Sequence, residues 1–188
     1  MRGEWCYFES HFSKQECEDI IAKAKNLPIE KGRTGDASAG EFTDLRRSKV
    51  SWIHPNTPEL AHYFDRVDKL ARWGNKDWFN FHLTNLPPLQ FTEYDSAYGG
   101  KYGKHVDVFW ISKNPTHRKL SIVINLSDPQ DYTGADFMMY GVDSRPPDVI
   151  KKQGSVLLFP SFIEHEVTPI TSGIRYSLVG WYEGPQWV

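Results

Sequence analysis

Hydrophobic positions recur at helical spacing in two segments of the first 75 residues. In the first segment, Ser13 and Glu16 have the spacing of a capping box, with Ser13 as the N-cap and Glu16 at the third helical position. Apolar residues then follow at intervals of three and four, which is typical of one helical face: Cys17, Ile20, Ile21 and Ala24. We therefore predict a first helix that begins after Ser13 and ends near Leu27, with Cys17 in the core.

The second helical segment lies between residues 57 and 74. Thr57 is the expected N-cap, and Pro58 would occupy the first helical position, where a missing N–H is tolerated. The predicted apolar face consists of Leu60, Phe64, Val67 and Ala71. Gly74 is a suitable residue to end the helix. Each predicted helix thus has one apolar face for the protein core.

From residue 78 onward, short runs of aromatic and β-branched residues alternate with turn residues, a pattern that predicts strands. The eight predicted strands are 78–84, 89–94, 105–111, 119–126, 136–140, 155–159, 164–168 and 175–182. Eight short strands fit the two antiparallel sheets of a jelly roll, and helices that precede strands argue against a parallel α/β sheet. The predicted fold class is mainly β with flanking helices, a cupin-like double-stranded β-helix whose outer face the helices brace.

Length and charge narrow the class of protein. A chain of 188 residues is expected to form one domain, with the helices in about residues 13–74 and the jelly roll in about residues 78–183. The 22 basic and 24 acidic side chains give a net charge of −2, which predicts no nucleic-acid partner.

Hydropathy and cysteine content bear on location. No apolar run approaches the ~20 residues of a membrane-spanning helix, so we predict no membrane partner. The first residues, Met1–Trp5, lack the apolar core of a signal peptide. Two cysteines are too few for a disulfide framework. These features predict a cytoplasmic protein, and the sequence indicates no particular oligomeric state.

Candidate metal ligands occur in the second half of the chain. His105 and Asp107 flank Val106, and His165 follows far downstream. On a β-strand, residues i and i+2 point to the same face, so His105 and Asp107 can bind one ion together. Two histidines and one carboxylate are the ligand set of the facial triad that binds non-haem Fe(II). Each residue taken alone would more often be a surface or hydrogen-bonded core residue, and it is the full order that indicates a metal site.

Arg175 follows His165 by ten residues and lies in a largely apolar and aromatic run, with Ser177 and Val179 on the same predicted strand face. A guanidinium can bind a carboxylate in bidentate geometry, and Ser177 could add a hydroxyl donor. A surface salt bridge is the plainer interpretation. A buried arginine, however, requires an anion, and a dicarboxylate cosubstrate would supply one.

With this motif, the chain resembles the 2-oxoglutarate- and Fe(II)-dependent dioxygenases over about residues 89–182, and within them the prolyl 4-hydroxylase-like branch. The resemblance implies that the protein uses Fe(II), 2-oxoglutarate and O2, with ascorbate as a candidate reductant. It assigns the iron to the two histidines and the aspartate. It assigns the 2-oxoglutarate to Arg175, Tyr94 and Ser177.

Three further positions concern the substrate. Tyr102, three residues before His105, and Trp181, six residues after Arg175, resemble the aromatic residues that flank the substrate proline in prolyl hydroxylases. Arg118 is a candidate ligand of a substrate carbonyl. The resemblance therefore implies prolyl 4-hydroxylation of a peptide or protein. Two alternatives stay open: hydroxylation of a free amino acid or other small molecule by the same chemistry, and a non-catalytic cupin-like binding module.

Two glycine-containing segments complete the prediction. The stretch Lys31–Gly40 is small, polar and glycine-rich, which predicts a loop that is either a plain connector or a lid over the substrate. Gly99 and Gly100 precede the first candidate metal ligand. We expect them to let the chain turn sharply into the strand that carries it.

Overall fold

The computed structural model describes residues 2–32, 42–111 and 114–188. Its helices are α1, Lys14–Ala24, and α2, Ala61–Gly74. Its strands, in chain order, are β1 Cys6–Phe8, β2 Glu30–Lys31, β3 Arg46–Arg47, β4 Lys49–Ile53, β5 Leu89–Asp95, β6 Lys101–His105, β7 Thr116–Asn125, β8 Tyr132–Gly134, β9 Phe137–Met139, β10 Val156–Pro160, β11 His165–Val167 and β12 Ile170–Pro185.

The strands form two antiparallel sheets. The larger sheet has the order β1-β10-β7-β12-β5-β4-β2, and β8 pairs with β12 beside this path. The smaller sheet has the order β3-β6-β11-β9. All pairings between these strands are antiparallel. This confirms the prediction of a mainly β protein with antiparallel sheets.

Both helices pack on the outer face of the larger sheet. Side chains alternate along a strand, so half of those in β5, β7 and β12 face the helices. The cluster they form with the helices includes Cys17, Ile20, Phe64 and Val67 from the helices, and Phe91, Ile122, Ile124 and Leu178 from the sheet. The intervening residues face the smaller sheet, and several of them, such as Gln90, Ser121 and Ser177, are buried and polar. A polar site can therefore form between the two sheets.

Helix α1 begins as predicted. The Ser13 hydroxyl accepts a hydrogen bond from the Glu16 N–H at 3.3 Å, and the Ser13 N–H donates to the Glu16 carboxylate at 2.8 Å. Two otherwise unpaired backbone groups of the first turn are thereby satisfied, which confirms the capping box. Cys17 is fully buried, also as predicted.

Helix α2 begins later than predicted. The Thr57 hydroxyl accepts from the N–H of His54 at 2.7 Å, upstream of it, instead of capping a helix downstream. Glu59 then adopts the left-handed conformation at φ 65°, which interrupts any helix between Pro58 and Ala61. The predicted start at Thr57 was therefore wrong by one turn.

The end of α2 also differs from the prediction, because the helical path of the backbone continues beyond Gly74. A π-helical turn, Asn75–Phe79, continues from it and ends at Asn80, which has φ 57°. The Asn75 amide exchanges two hydrogen bonds with the backbone of Phe81, at 2.9 and 3.0 Å. This turn includes Trp78 and Phe79, and residues 80–84 form no strand, so the prediction of a strand at 78–84 was wrong.

The remaining strand predictions were correct in position for most of the jelly roll, with two kinds of error. The strand predicted at 105–111 ends at His105, since the chain leaves the sheet there. The short strands β1 to β4 and β8 were missed, because runs of two to five residues carry little periodicity. In contrast, Gly99 does adopt φ 62°, as expected for a sharp turn. A Cβ on Gly100 would lie 2.9 Å from Cα of Tyr94, which is too close for two carbon atoms, so this position also requires glycine.

The predicted loop at 31–40 lies only partly within the described residues. Lys31 belongs to β2, and residues 33–40 of this loop lie outside the described part of the chain, so a connector and a lid both stay predictions. Among the described residues, no helix is long and apolar enough to cross a membrane. A cytoplasmic location stays a prediction.

Candidate metal centre and active site

Three side chains from different segments converge between the sheets. His105 is the last residue of β6, and it pairs in register with His165, the first residue of β11. Asp107 lies beyond the end of β6, where its N–H donates to the Ser161 carbonyl at 2.9 Å. The sequence pattern predicted that His105 and Asp107 share one face of a strand. That prediction was wrong, because β6 ends at His105. The turn after His105 brings the carboxylate back toward the two imidazoles.

The ligand atoms of His105, Asp107 and His165 all lie within 4.8 Å of one another. His105 Nε2 is 3.7 Å from one carboxylate oxygen of Asp107, and His165 Nε2 is 3.6 Å from the other. Each histidine Nδ1 lies near a backbone carbonyl, that of Gly103 at 2.8 Å and that of Ile163 at 2.9 Å. A carbonyl can only accept, so both Nδ1 atoms donate, and the Nε2 atoms carry the lone pairs.

The environment keeps these groups in the protonation states that a metal requires. Burial, assisted by the nearby His165, lowers the pKa of His105 to about 4. Burial alone would raise the pKa of Asp107, but His165, His105 and Arg118, together with a hydrogen bond from Ser121, lower it below its ordinary value. At neutral pH the site thus offers a neutral imidazole and a carboxylate, which are the forms that bind a metal.

Two serines orient the carboxylate. The Ser121 hydroxyl donates to Asp107 Oδ2 at 2.6 Å, and the hydroxyls of Ser121 and Ser161 are 2.9 Å apart. All three residues are buried. Such outer hydrogen bonds hold a ligating carboxylate in one orientation. Neither serine was predicted as a site residue, although Ser121 lies on the inner face of β7 by simple alternation.

Arg175 lies near the three side chains and is 4% exposed. It lines a narrow cavity of about 30 Å³ together with the two histidines, Tyr94 and Ser177. Arg175 and Tyr94 are paired in register on β12 and β5, and the guanidinium carbon is 5.9 Å from the Tyr94 ring centroid. Among the described residues, no carboxylate lies within 4 Å of the Arg175 guanidinium. A buried cation without a protein counter-ion fits an anionic ligand.

Tyr94 remains a neutral hydrogen-bond donor in this cavity. Its burial raises the pKa of the phenol, and the charges of Arg46 and Arg175 offset only part of this rise. The Tyr94 hydroxyl and the Ser177 hydroxyl can therefore both donate to a ligand that Arg175 binds. The structure brings the three residues that the resemblance assigned to the cosubstrate into one cavity.

A wide groove of about 670 Å³ adjoins the narrow cavity. The two spaces share four lining residues: Gln90, Tyr102, Asp107 and Trp181. Arg118 lies in the groove, and its guanidinium carbon is 4.1 Å from the Trp181 ring and 5.3 Å from the Phe109 ring. The three residues that the resemblance assigned to the substrate, Tyr102, Trp181 and Arg118, thus line one groove beside the candidate metal ligands.

Tyr102 is packed more tightly than its position in the sequence suggested. Its ring stacks on His105 with centroids 3.5 Å apart, and the guanidinium of Arg46 lies 4.4 Å from its centroid. These contacts leave mainly the ring edge and hydroxyl for a substrate. Arg46, 5% exposed on β3, is a site residue that the sequence analysis missed. A two-residue strand far from the motif gives no signal of its place in the site.

These residues meet the requirements of a 2-His-1-carboxylate metal centre. Two imidazole Nε2 lone pairs and one oriented carboxylate face one point, and the narrow cavity and the groove lie on the open side. This donor set favours Fe(II) with free coordination positions. His105, Asp107 and His165 could therefore hold the iron.

Comparison with known proteins identifies the family. Residues 89–183 match the model of the 2OG-Fe(II) oxygenase superfamily. A PKHD-type hydroxylase of Synechococcus sp. (strain CC9605) is 40% identical over 160 residues, which are 85% of this chain and 68% of that protein. One of Hyphomonas neptunium is 34% identical over 173 residues, 88% of this chain and 71% of that protein. One of Gloeothece citriformis is 33% identical over 95 residues, and the match spans 50% of this chain and 42% of that protein.

Solved structures share the fold at low sequence identity. A Trichoplax adhaerens prolyl hydroxylase, in complex with a hypoxia inducible factor oxygen degradation domain peptide fragment, has a TM-score of 0.75 at 21% identity, covering 96% of this chain and 83% of that one. A Pseudomonas putida prolyl-4-hydroxylase has a TM-score of 0.73 at 21% identity, covering 96% and 92%. These matches confirm the double-stranded β-helix. The chain therefore belongs to the 2OG-Fe(II) oxygenase superfamily, the 2-oxoglutarate- and Fe(II)-dependent dioxygenases.

Proposed function

We propose that this chain hydroxylates proline residues, at C4, in a peptide or protein substrate. In this proposal His105, Asp107 and His165 hold Fe(II), and Arg175, Tyr94 and Ser177 bind 2-oxoglutarate. The relatives named as PKHD-type hydroxylases and the fold shared with prolyl hydroxylases support the assignment. The site supports it because the side chains assigned to iron, cosubstrate and substrate line two adjoining spaces that share four lining residues.

Iron, when bound, would supply the activation of O2 that is coupled to decarboxylation of 2-oxoglutarate. The chain contributes binding and orientation. The Arg175 fork pairs with a carboxylate in two parallel hydrogen bonds, which fixes the long axis of a dicarboxylate. The hydroxyls of Tyr94 and Ser177 lie in the same cavity and add donors.

The wide groove is the observation on which the proposal of a polypeptide substrate rests. Its volume of about 670 Å³ is far larger than the narrow cavity at the metal ligands, and ligand sites of roughly 300–1,000 Å³ hold molecules larger than one amino acid. Its rim includes Phe109, which is 54% exposed, and Ile111, which is fully exposed. Exposed apolar residues beside a groove favour contact with a second chain.

Trp181 supplies a further feature that suits a peptide. Its indole Nε1 is buried and has no hydrogen-bond partner within the described part of the chain. A buried donor without a partner is costly, so an acceptor supplied by a ligand would stabilise it. A peptide carbonyl beside the target proline would provide that acceptor, while the Arg118 guanidinium, stacked on the same ring, could bind a second carbonyl.

The test is incubation of proline-containing peptides and of cell extract with the protein, Fe(II), 2-oxoglutarate and O2. Mass spectrometry should detect a gain of one oxygen on proline, and amino-acid analysis should identify 4-hydroxyproline. Reactions without 2-oxoglutarate and reactions of the His105→Ala variant serve as controls. Absence of hydroxyproline in every peptide, with succinate still formed, would contradict the prolyl assignment.

The same assay separates the two alternatives. If free amino acids or other small molecules stimulate succinate formation and peptides do not, the substrate is a small molecule. If purified, iron-loaded protein binds 2-oxoglutarate and forms no succinate with any substrate, the chain is a binding module. The intact set of ligand side chains favours catalysis over binding alone.

A further inference from the structure

Asn125 occupies an unusual place for a buried amide. It is the last residue of β7, is 2% exposed, and pairs in register with Ser177 on β12. Its side chain faces the space between the sheets and not the helices. A buried amide requires partners for both its oxygen and its nitrogen, so its neighbours define its orientation.

The hydrogen bonds of Asn125 leave only one orientation of the amide. Its Nδ2 donates to the carbonyl of Ser127 at 2.9 Å and to the carbonyl of Lys151 at 2.7 Å. A flipped amide would set its oxygen against two carbonyl oxygens, which cannot donate. Its Oδ1 therefore points the other way, where it accepts from Arg175 Nε at 3.2 Å.

This bond restrains the guanidinium at its inner nitrogen. With Nε engaged, the two terminal nitrogens of Arg175 form the fork that remains for a ligand, and Arg175 lines the cavity of the candidate metal ligands. The restraint comes from a neutral group, so the positive charge of Arg175 is not cancelled. A carboxylate in the same place would hold the guanidinium equally well but would compete with the ligand for its charge.

We infer that Asn125 is a positioning residue: it orients the Arg175 fork toward 2-oxoglutarate and leaves the positive charge of Arg175 available for that ligand. The inference rests on the proposed binding of 2-oxoglutarate by Arg175. Asn125 acts through Arg175, so it governs cosubstrate affinity and not the chemistry at the metal. Loss of the restraint lets the guanidinium adopt other rotamers, and the bound orientation must then be fixed at a cost in affinity.

The test uses the Asn125→Ala and Asn125→Asp variants, loaded with Zn²⁺ in place of Fe(II) so that no turnover occurs. Calorimetric titration with 2-oxoglutarate gives the Kd directly. We expect about a tenfold increase in Kd for Asn125→Ala, the size of one charge-assisted hydrogen bond. Asn125→Asp should raise the Kd further, because its carboxylate pairs with Arg175 and repels the dicarboxylate. Zn²⁺ affinity should stay at the wild-type value.

With Fe(II), both variants should raise the KM for 2-oxoglutarate and leave kcat close to wild type. The matched control is Ile124→Val, the preceding residue, which faces the helices and is fully buried. It lowers stability through lost packing but should bind 2-oxoglutarate with the wild-type Kd. A role of Asn125 in packing alone would make its variants behave like this control.

Wild-type Kd values in both Asn125 variants would overturn the inference. Arg175→Ala, measured in parallel, separates its failure from that of the proposed function. If Arg175→Ala weakens binding and the Asn125 variants do not, only the positioning role is wrong. If Arg175→Ala also binds normally, the proposed cosubstrate site itself is wrong. Should Asn125→Ala fail to fold, Asn125→Ser, which keeps a small polar side chain but is too short to reach Arg175 as the amide does, decides the question, since Asn125→Asp sets an oxygen against the two carbonyls that the amide binds.

Discussion

At the residue scale, backbone carbonyls determine which histidine nitrogens can bind a metal. The carbonyls of Gly103 and Ile163 take the Nδ1 protons, so His105 and His165 present their Nε2 lone pairs to the same point as Asp107. The sequence predicts the three residues but not this arrangement. The tautomers depend on the path of the backbone beside each ring.

Replacement of any one metal ligand should abolish turnover. His105→Ala, Asp107→Ala and His165→Ala each remove one of three ligands, so we expect loss of succinate formation and weaker Fe(II) binding, measured by calorimetry under anaerobic conditions. Circular dichroism should show a retained fold. His54→Ala, at an exposed histidine, is the control and should be fully active. Near-wild-type activity in two of the three variants would contradict the metal site.

Replacement of Arg175 should affect cosubstrate binding and not iron binding. Arg175→Ala removes a charge-assisted pair, so the KM for 2-oxoglutarate should rise roughly ten- to a hundredfold. Arg175→Lys should be milder, because the charge stays while the fork is lost. Arg72→Ala, at a surface ion pair, is the control. Unchanged 2-oxoglutarate dependence in both Arg175 variants would remove this residue from the site.

Substitution of Tyr102 or Trp181, the aromatic residues of the groove, should uncouple decarboxylation of 2-oxoglutarate from hydroxylation of the peptide. In Tyr102→Ala and Trp181→Ala, a bound substrate loses its wall beside the metal ligands, and misplacement of a reacting atom lowers the rate steeply. The ratio of hydroxylated peptide to succinate should therefore fall, as measured by mass spectrometry and succinate assay. Trp181→Phe keeps an aromatic ring but removes the indole N–H together with part of the ring system, so an intermediate effect is expected. Wild-type ratios in both alanine variants would make these residues ordinary core aromatics.

Most site residues outside the motif could not be found from the sequence. Arg46, Ser121 and Ser161 contact the motif residues, but they belong to three separate elements and follow no spacing that connects them to His105 or Asp107. Their roles depend on strand pairing across the sandwich. Ser121 alone could have been inferred, since it alternates with the apolar residues of β7 that face the helices.

At the scale of elements, local chemistry predicted some boundaries and long-range packing determined others. The capping box at Ser13 is complete within four residues, so the start of α1 was correct. The start of α2 depends on a turn in which Thr57 binds backward and Glu59 adopts a left-handed conformation. Strands of two or three residues exist only because neighbouring strands pair with them, and a short sequence does not indicate such pairing.

The left-handed conformation of Glu59 predicts a stabilising substitution. Glu59 is exposed, and its φ of 65° is unfavourable for any residue with a Cβ. Glu59→Gly should therefore raise the free energy of unfolding by about 0.5–1 kcal/mol, after the entropic penalty of glycine is subtracted. Thermal unfolding should shift upward by about 1–4 °C. Glu59→Ala keeps the Cβ and should show no such gain. An equal gain in both variants would show that the left-handed backbone at Glu59 is not the cause.

At the scale of the whole molecule, the buried histidine connects the site to stability. The pKa of His105 falls from its usual 6.5 to about 4 in the folded chain. Between these values the unfolded chain binds a proton that the folded chain does not. The free energy of unfolding of the metal-free protein should therefore decrease as the pH falls from about 6.5 to about 4. Urea denaturation at a series of pH values measures this decrease.

A matched variant tests the origin of that pH dependence. His105→Gln cannot titrate, so its free energy of unfolding should depend less on pH in the same interval. Bound Zn²⁺ should add stability and steepen the dependence, because it binds only unprotonated imidazoles and its contribution therefore shrinks as the pH falls. An identical slope in wild type and His105→Gln would show that other groups cause it.

Strand β12 has a consequence for biosynthesis. It is the last of the described strands, yet it lies between β7 and β5 in the larger sheet and carries Arg175, Ser177 and Trp181. A ribosome has made β5 and β7 long before β12 emerges, and at translation rates the stretch from Asn125 to Pro185 takes roughly 3–12 s. During this time the facing edges of β5 and β7 lack the strand that pairs with both in the folded sheet. Completion of the larger sheet and assembly of the site thus become one event, which must follow the synthesis of β12.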